Sequence, residues 1–251
     1  MNPTAIGLLV FVSVFVAALL GMLLRALLPK DHLSAETKDI VRLAMGLVAT
    51  MTALVLGLLV ASAKGSYDTQ KAGVTEMAAK AIFLDRVLAL YGPETAQART
   101  VVREAVASAL ARVWPEKGSA PPQLSPNLAR GAALYEAIQK LSPQTDAQRA
   151  FRSQAIATAI DLGQMQWLQF ERTGTSISTV LLVVVIFWLA ILFLSFGLFA
   201  PANPTVIVAL VVGALSVSAA LFLVLELDRP YGGLIQIPNE PLVKALKYIG
   251  Q

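Results

Sequence analysis

Four stretches of this chain carry no charge over a length that would cross a lipid bilayer, and that constrains the fold more than any other feature. A hydrocarbon core about 30 Å thick is spanned by about 20 apolar residues in helix. Helix is required because lipid offers backbone amides no hydrogen-bond partners. The first stretch runs from Ala5 to Leu28, is free of charge from Ile6 to Leu24, and stops at Pro29. A cleaved signal peptide is the competing reading, but no Lys or Arg precedes the run and its apolar part exceeds a normal signal core. The second, Leu43 to Ala63, is bracketed by Arg42 and Lys64. The third and fourth share the uncharged span Thr173 to Leu225, interrupted by Pro201-Ala202-Asn203-Pro204. Two prolines there remove donors and bias the preceding residues away from helix, so the span predicts a hairpin.

Composition agrees with an integral membrane protein. Of 251 residues, 56% are hydrophobic and 14% charged, and the mean hydropathy is +0.67. The net charge of +4 is scattered, without the aromatic and basic interleaving of a nucleic-acid surface. The charge-free turn between the third and fourth spans suits the outer face. Lys64, Lys71, Arg172, Arg229, Lys244 and Lys247 then fall inside, which puts both termini and the central segment in the cytoplasm. Arg25, Lys30, Lys38 and Arg42 oppose that orientation.

Between the second and third spans the periodicity is helical, with no strand alternation. Val74, Met77, Ala81, Leu84 and Leu88 continue the second span as one long helix to Gly92-Pro93. Ala98 to Val113 predicts another helix, closed by Trp114-Pro115 and the loop EKGSAPPQLSPN. Leu128 to Leu141 predicts a third. Ser142-Pro143 reads as an N-cap with proline at the first helical position, leading a fourth helix through Ile156, Ile160, Trp167 and Phe170. The expected fold is therefore all-α: four transmembrane helices with a cytoplasmic helical bundle inserted between the second and third. Its segments are a first transmembrane pair (1–64), the helical domain (65–172), a second pair (173–228) and an amphipathic tail (229–251).

Chemistry is sparse. Cysteine is absent and His32 is the one histidine, in a charged loop, so thiol, Ser-His-Asp and His-based zinc sites are unavailable. No phosphate-binding glycine motif occurs. Glu76 and Lys80 form an i, i+4 pair, and Asp85 beside Arg86 reads as a solvated face. No catalytic residue, metal ligand or cofactor is expected, and an intramembrane enzyme lacks acids or histidines within its spans. The second span is more informative. Gly46, Thr50, Ala53, Gly57 and Ala61 lie in one helical stripe. Such a stripe lets helices approach closely in lipid. It would equally line a pore if several copies surrounded an axis, with the Thr50 and Thr52 hydroxyls toward water. Met45, Leu56 and Leu59, on another face, are candidates for a hydrophobic constriction.

The segments GLVATMTALVLGLLVASAKGSYD (Gly46 to Asp68) and ELDRPYGGLIQI (Glu226 to Ile237) resemble the bestrophin-like domain of bacterial membrane proteins. Bestrophins are anion channels with cytoplasmic termini, four spans, a helical insertion after the second and five subunits around a pore lined by the second span. The resemblance thus implies a homo-oligomer, pentameric by analogy, in a bacterial inner membrane. It would pass small inorganic anions passively, touch lipid and itself, and bind no nucleic acid. Two departures stand out. The second span has no phenylalanine for an aromatic neck, and only Glu226, Asp228 and Glu240 stand where bestrophins carry a calcium clasp, too few for six or more oxygens. Lys64, Glu226, Asp228 and Arg229 would form the inner mouth. Tyr231 suits that mouth or a headgroup anchor, and Leu242 to Tyr248 would lie along the interface. A non-conducting scaffold whose bundle binds a protein partner is the alternative, and a cation-permeable channel the third reading.

Overall fold

The computed structural model describes residues 2–29, 34–115, 121–173, 177–201 and 203–251. His32, Ala202 of the proline-bounded turn, and 116–120 of the long loop lie outside the described residues. The described residues are mostly helix, with no strand among them. In chain order the helices are α1 (Pro3–Leu27), α2 (Ala35–Tyr91), a 3₁₀ turn (Pro93–Thr95), α3 (Ala96–Val113), α4 (Leu128–Gln139), α5 (Asp146–Glu171), α6 (Thr179–Phe199), α7 (Pro204–Leu227) and α8 (Glu240–Tyr248). Four of them, α1, α2, α6 and α7, are long and apolar enough to cross a membrane.

Helix ends follow local chemistry. Asn2 and Asn203 cap α1 and α7 through their side chains, each just before a proline at the first helical position. α2 continues without a break for 57 residues and ends at Gly92, whose φ of 138° favours glycine. There the Thr95 hydroxyl donates to Leu88 O at 2.6 Å. The cap of α5 differs from expectation. Thr145 accepts from Gln148 N at 3.1 Å and the helix starts at Asp146, so Ser142-Pro143 belongs to the loop. A side-chain oxygen three residues before a free amide decides the start.

The chain forms two compact units. The first comprises Met1–Gly65 and Thr175–Asp228. Its centre is the crossing of α1 and α6, where two glycines face the opposite backbone. A Cβ at Gly21 would lie 2.1 Å from Leu194 O, and one at Gly197 1.9 Å from Ala18 O. Only hydrogen fits at either position, so the helices approach as closely as backbones allow. Val10, Val14, Val185, Ala214 and Leu221 fill the space around this crossing. Arg25, in the last turn of α1, donates to Ala200 O at the C-terminus of α6, where carbonyls and the helix dipole favour a cation.

The second unit, Ser66–Gly174 with Arg229–Gln251, contains the distal part of α2, helices α3 to α5, and the C-terminal segment. Val74, Leu84, Leu88, Val102, Ile138, Ile237 and Ile249 are among its core residues. The tail expected along the membrane interface is part of this core instead. Leu242, Ala245 and Ile249 are 7%, 0% and 0% exposed, so the apolar face of α8 is already covered by protein.

Candidate functional site

The small stripe of α2 has no role inside the first unit. Gly46, Thr50, Ala53, Gly57 and Ala61 are all exposed, and a Cβ at Gly46 or Gly57 would meet nothing within 4 Å. Helix geometry explains this. At about 100° per residue the five positions fall within about 80° of arc, while Thr52, Leu59 and Ala63 on the opposite side are buried. α2 is also the least enclosed apolar helix, with 11% of its most hydrophobic window buried against 33% for α1 and α6.

Two expectations change with that geometry. Met45, Leu56 and Leu59 lie roughly 100–160° round from the stripe. Leu59 is 3% exposed, and Leu56 packs against the same core. Packing holds Leu56 and Leu59 away from the stripe, and half-buried Met45 lies off its face as well. Thr52 is likewise buried, donating to Val48 O at 2.7 Å. Thr50 remains exposed but donates to Gly46 O at 2.9 Å, so its proton satisfies the helix's own carbonyl.

Of the charges expected at an inner mouth, Lys64 is exposed and lies on the line of the stripe, seven residues beyond Gly57. Glu226 is enclosed, at 5% exposed, which removes it from an open mouth. Asp228 caps α7, its N–H donating to Val224 O at 3.2 Å. Arg229 is exposed, and its carbonyl accepts from Gly232 and Gly233 in the following turn.

The rest of that second quoted segment is anchored inside the second unit. Tyr231 is 6% exposed, its hydroxyl accepts from Gln169 Nε2 at 3.1 Å, and its ring meets Trp114 edge-on at 5.8 Å. Burial pushes the Tyr231 hydroxyl up to about 12, against a small opposing effect of the Gln169 bond. Gln169 also donates to Gln70 O at 2.8 Å, and Trp114 Nε1 donates to Ile237 O at 2.8 Å. Tyr231 is therefore a structural anchor.

Asp85 departs from its sequence reading in the same way. It is 4% exposed and takes a bidentate pair of hydrogen bonds from Arg99 at 2.8 and 2.9 Å. It also accepts from Gly250 N at 3.1 Å, while Arg99 and Arg103 donate to Gln251 O and Ile249 O. Burial would push the Asp85 carboxyl up, but the Arg99 and Gly250 hydrogen bonds, with the charges of Arg99 and Arg86, hold it below its ordinary 3.8. Sequence reasoning missed this clamp because its partners lie 14 and 165 residues away. Glu76 and Lys80 do pair, at 3.6 Å, and Lys80 reaches Asp161 at 3.1 Å. Among the described residues no group of three or more His, Cys, Asp or Glu is placed to hold a metal.

The bestrophin-like domain model matches residues 11–242. The chain belongs to this family, and its four apolar helices make it a membrane protein. Neither the curated proteins nor the solved structures include a match to it.

Proposed function

We propose that the protein is a homo-oligomeric channel conducting small anions passively along an axis lined by α2, with both termini and residues 65–172 cytoplasmic. One observation carries this reading: Gly46, Gly57 and Gly65 of α2 face open space, whereas Gly21 of α1 and Gly197 of α6 are consumed in backbone contact. Small residues that pack nothing within a subunit suit an assembly in which copies of α2 stand side by side around water. Five copies follow from the bestrophin family, in a bacterial inner membrane. Anion preference rests on Lys64 and Arg229, which would raise local anion concentration at the inner mouth. The engaged Thr50 proton gives it little further support. Narrowing falls to exposed Leu43 and Leu54 on the stripe's flank rather than to Leu56 and Leu59, which pack into the core.

The test is chloride efflux from liposomes containing the purified protein, with its mass measured in detergent. Gly57→Leu is the informative variant, because the subunit has room for the new side chain. Flux from wild-type oligomers that Gly57→Leu abolishes supports an α2 pore. Replacing chloride by gluconate, and potassium by a large cation, then distinguishes anion from cation passage. Oligomers silent across voltage, pH and divalent ions would overturn conduction in favour of a scaffold.

A further inference from the structure

The second unit contains a cavity of about 160 Å³ that the channel reading does not use. Val74, Leu84, Val102, Val106, Val113 and Leu134 are among its apolar walls. Among the described residues its charged lining is Arg112 and Arg130, with no Asp, Glu or Lys. Arg112 Nη1 donates to Ser125 O at 3.1 Å and Arg130 Nη1 to Glu104 O at 2.9 Å. Among the described residues neither pairs with a carboxylate. Arg112 Nε is buried with no hydrogen-bond partner among the described residues. A guanidinium has five N–H donors, and a buried unsatisfied donor is costly.

An apolar chamber with two arginines that meet no carboxylate among the described residues complements a ligand having one greasy end and one negative end. Size narrows the class. An aliphatic-lined cavity of about 150 Å³ accommodates benzene, so this one holds a single ring or a short alkyl chain. We infer that it is a binding site for a small aromatic or short-chain aliphatic monocarboxylate, with the carboxylate on Arg112, assisted by Arg130, and the hydrocarbon against the valines and leucines. Gln169 and Tyr231, also in the lining, are already bonded to each other. Gln123 and Gln166 add neutral amides to the lining, and the arginines supply its positive charge. The site does not depend on conduction.

Benzoate is the probe, titrated calorimetrically into the full chain in lipid nanodiscs at neutral pH, with benzyl alcohol as the uncharged comparison. Saturable benzoate binding is expected. Arg112→Gln should weaken it at least about tenfold while leaving the weaker benzyl alcohol binding unchanged. Gly163→Leu, which adds bulk where a Cβ meets nothing within 4 Å, should reduce binding of both molecules. Circular dichroism and elution volume check that each variant is folded. Absence of saturable benzoate binding to wild type up to about 10 mM, or wild-type affinity in folded Arg112→Gln or Gly163→Leu, would overturn the site.

Discussion

Asp85 shows how a single residue can be misread from its neighbours. Beside Arg86 on an exposed-looking helix it suggests a solvated charge, yet its partners are Arg99 and Gly250. Replacing the carboxylate by an amide leaves the Arg99 guanidinium facing a donor where it had a charged acceptor. Asp85→Asn should lower stability by about 1.5–3 kcal/mol, a range measured for hydrogen bonds to charged groups, as read by thermal melting. Because the folded carboxyl lies below its ordinary 3.8, its contribution is fully present above the unfolded value and is lost as pH falls through the folded one. The gap between wild type and Asp85→Asn should therefore be constant near neutrality and close below about pH 4. A gap that persists unchanged into more acid solution would assign the effect to packing.

At the scale of elements, α1, α2, α6 and α7 were legible because charge-free runs and prolines are local signals. The α1–α6 crossing was not, since Gly21 and Gly197 owe their importance to each other's backbone across the unit. Gly197→Val should cost more than about 3 kcal/mol, because overpacking ordinarily costs 1–3 and here the obstructing atoms are backbone. Loss of folded, monodisperse protein checks it, with Gly57→Ala retaining wild-type yield. The amphipathic spacing of α8 was visible too, but a sequence does not say whether protein or lipid covers an apolar face. Ile249 is fully buried, so Ile249→Ala should destabilise by about 2–4 kcal/mol. Limited proteolysis of the C-terminal segment measures that loss.

For the whole molecule, the lack of cysteine allows accessibility to be mapped one residue at a time. A cysteine placed at Ala53 should react with a charged, membrane-impermeant thiol reagent in the assembled protein and lose flux on reaction. One at Ala63, which is fully buried, should resist it. Equal protection of both positions would favour a stripe sealed against a neighbouring helix. The family and the order of helices were readable from two short segments and a hydropathy pattern. The identity of the exposed face of α2 was half readable, because periodicity groups residues on a face without saying which face the subunit covers.

The Gly21–Gly197 crossing also sets a timetable for biogenesis. The α1 groove of Ala17, Ala18 and Gly21 enters the bilayer early in synthesis, while its partner Gly197 belongs to α6, which is made only after residues 66–174. At about 5–20 residues per second the ribosome needs on the order of ten seconds or more to deliver it. Residues 66–174 emerge meanwhile, and they too await Tyr231, Ile237 and Ile249 for their core. A nascent chain stalled before α6 therefore holds an open groove on α1 and an incomplete core in the second unit, a state suited to capture by quality-control proteases.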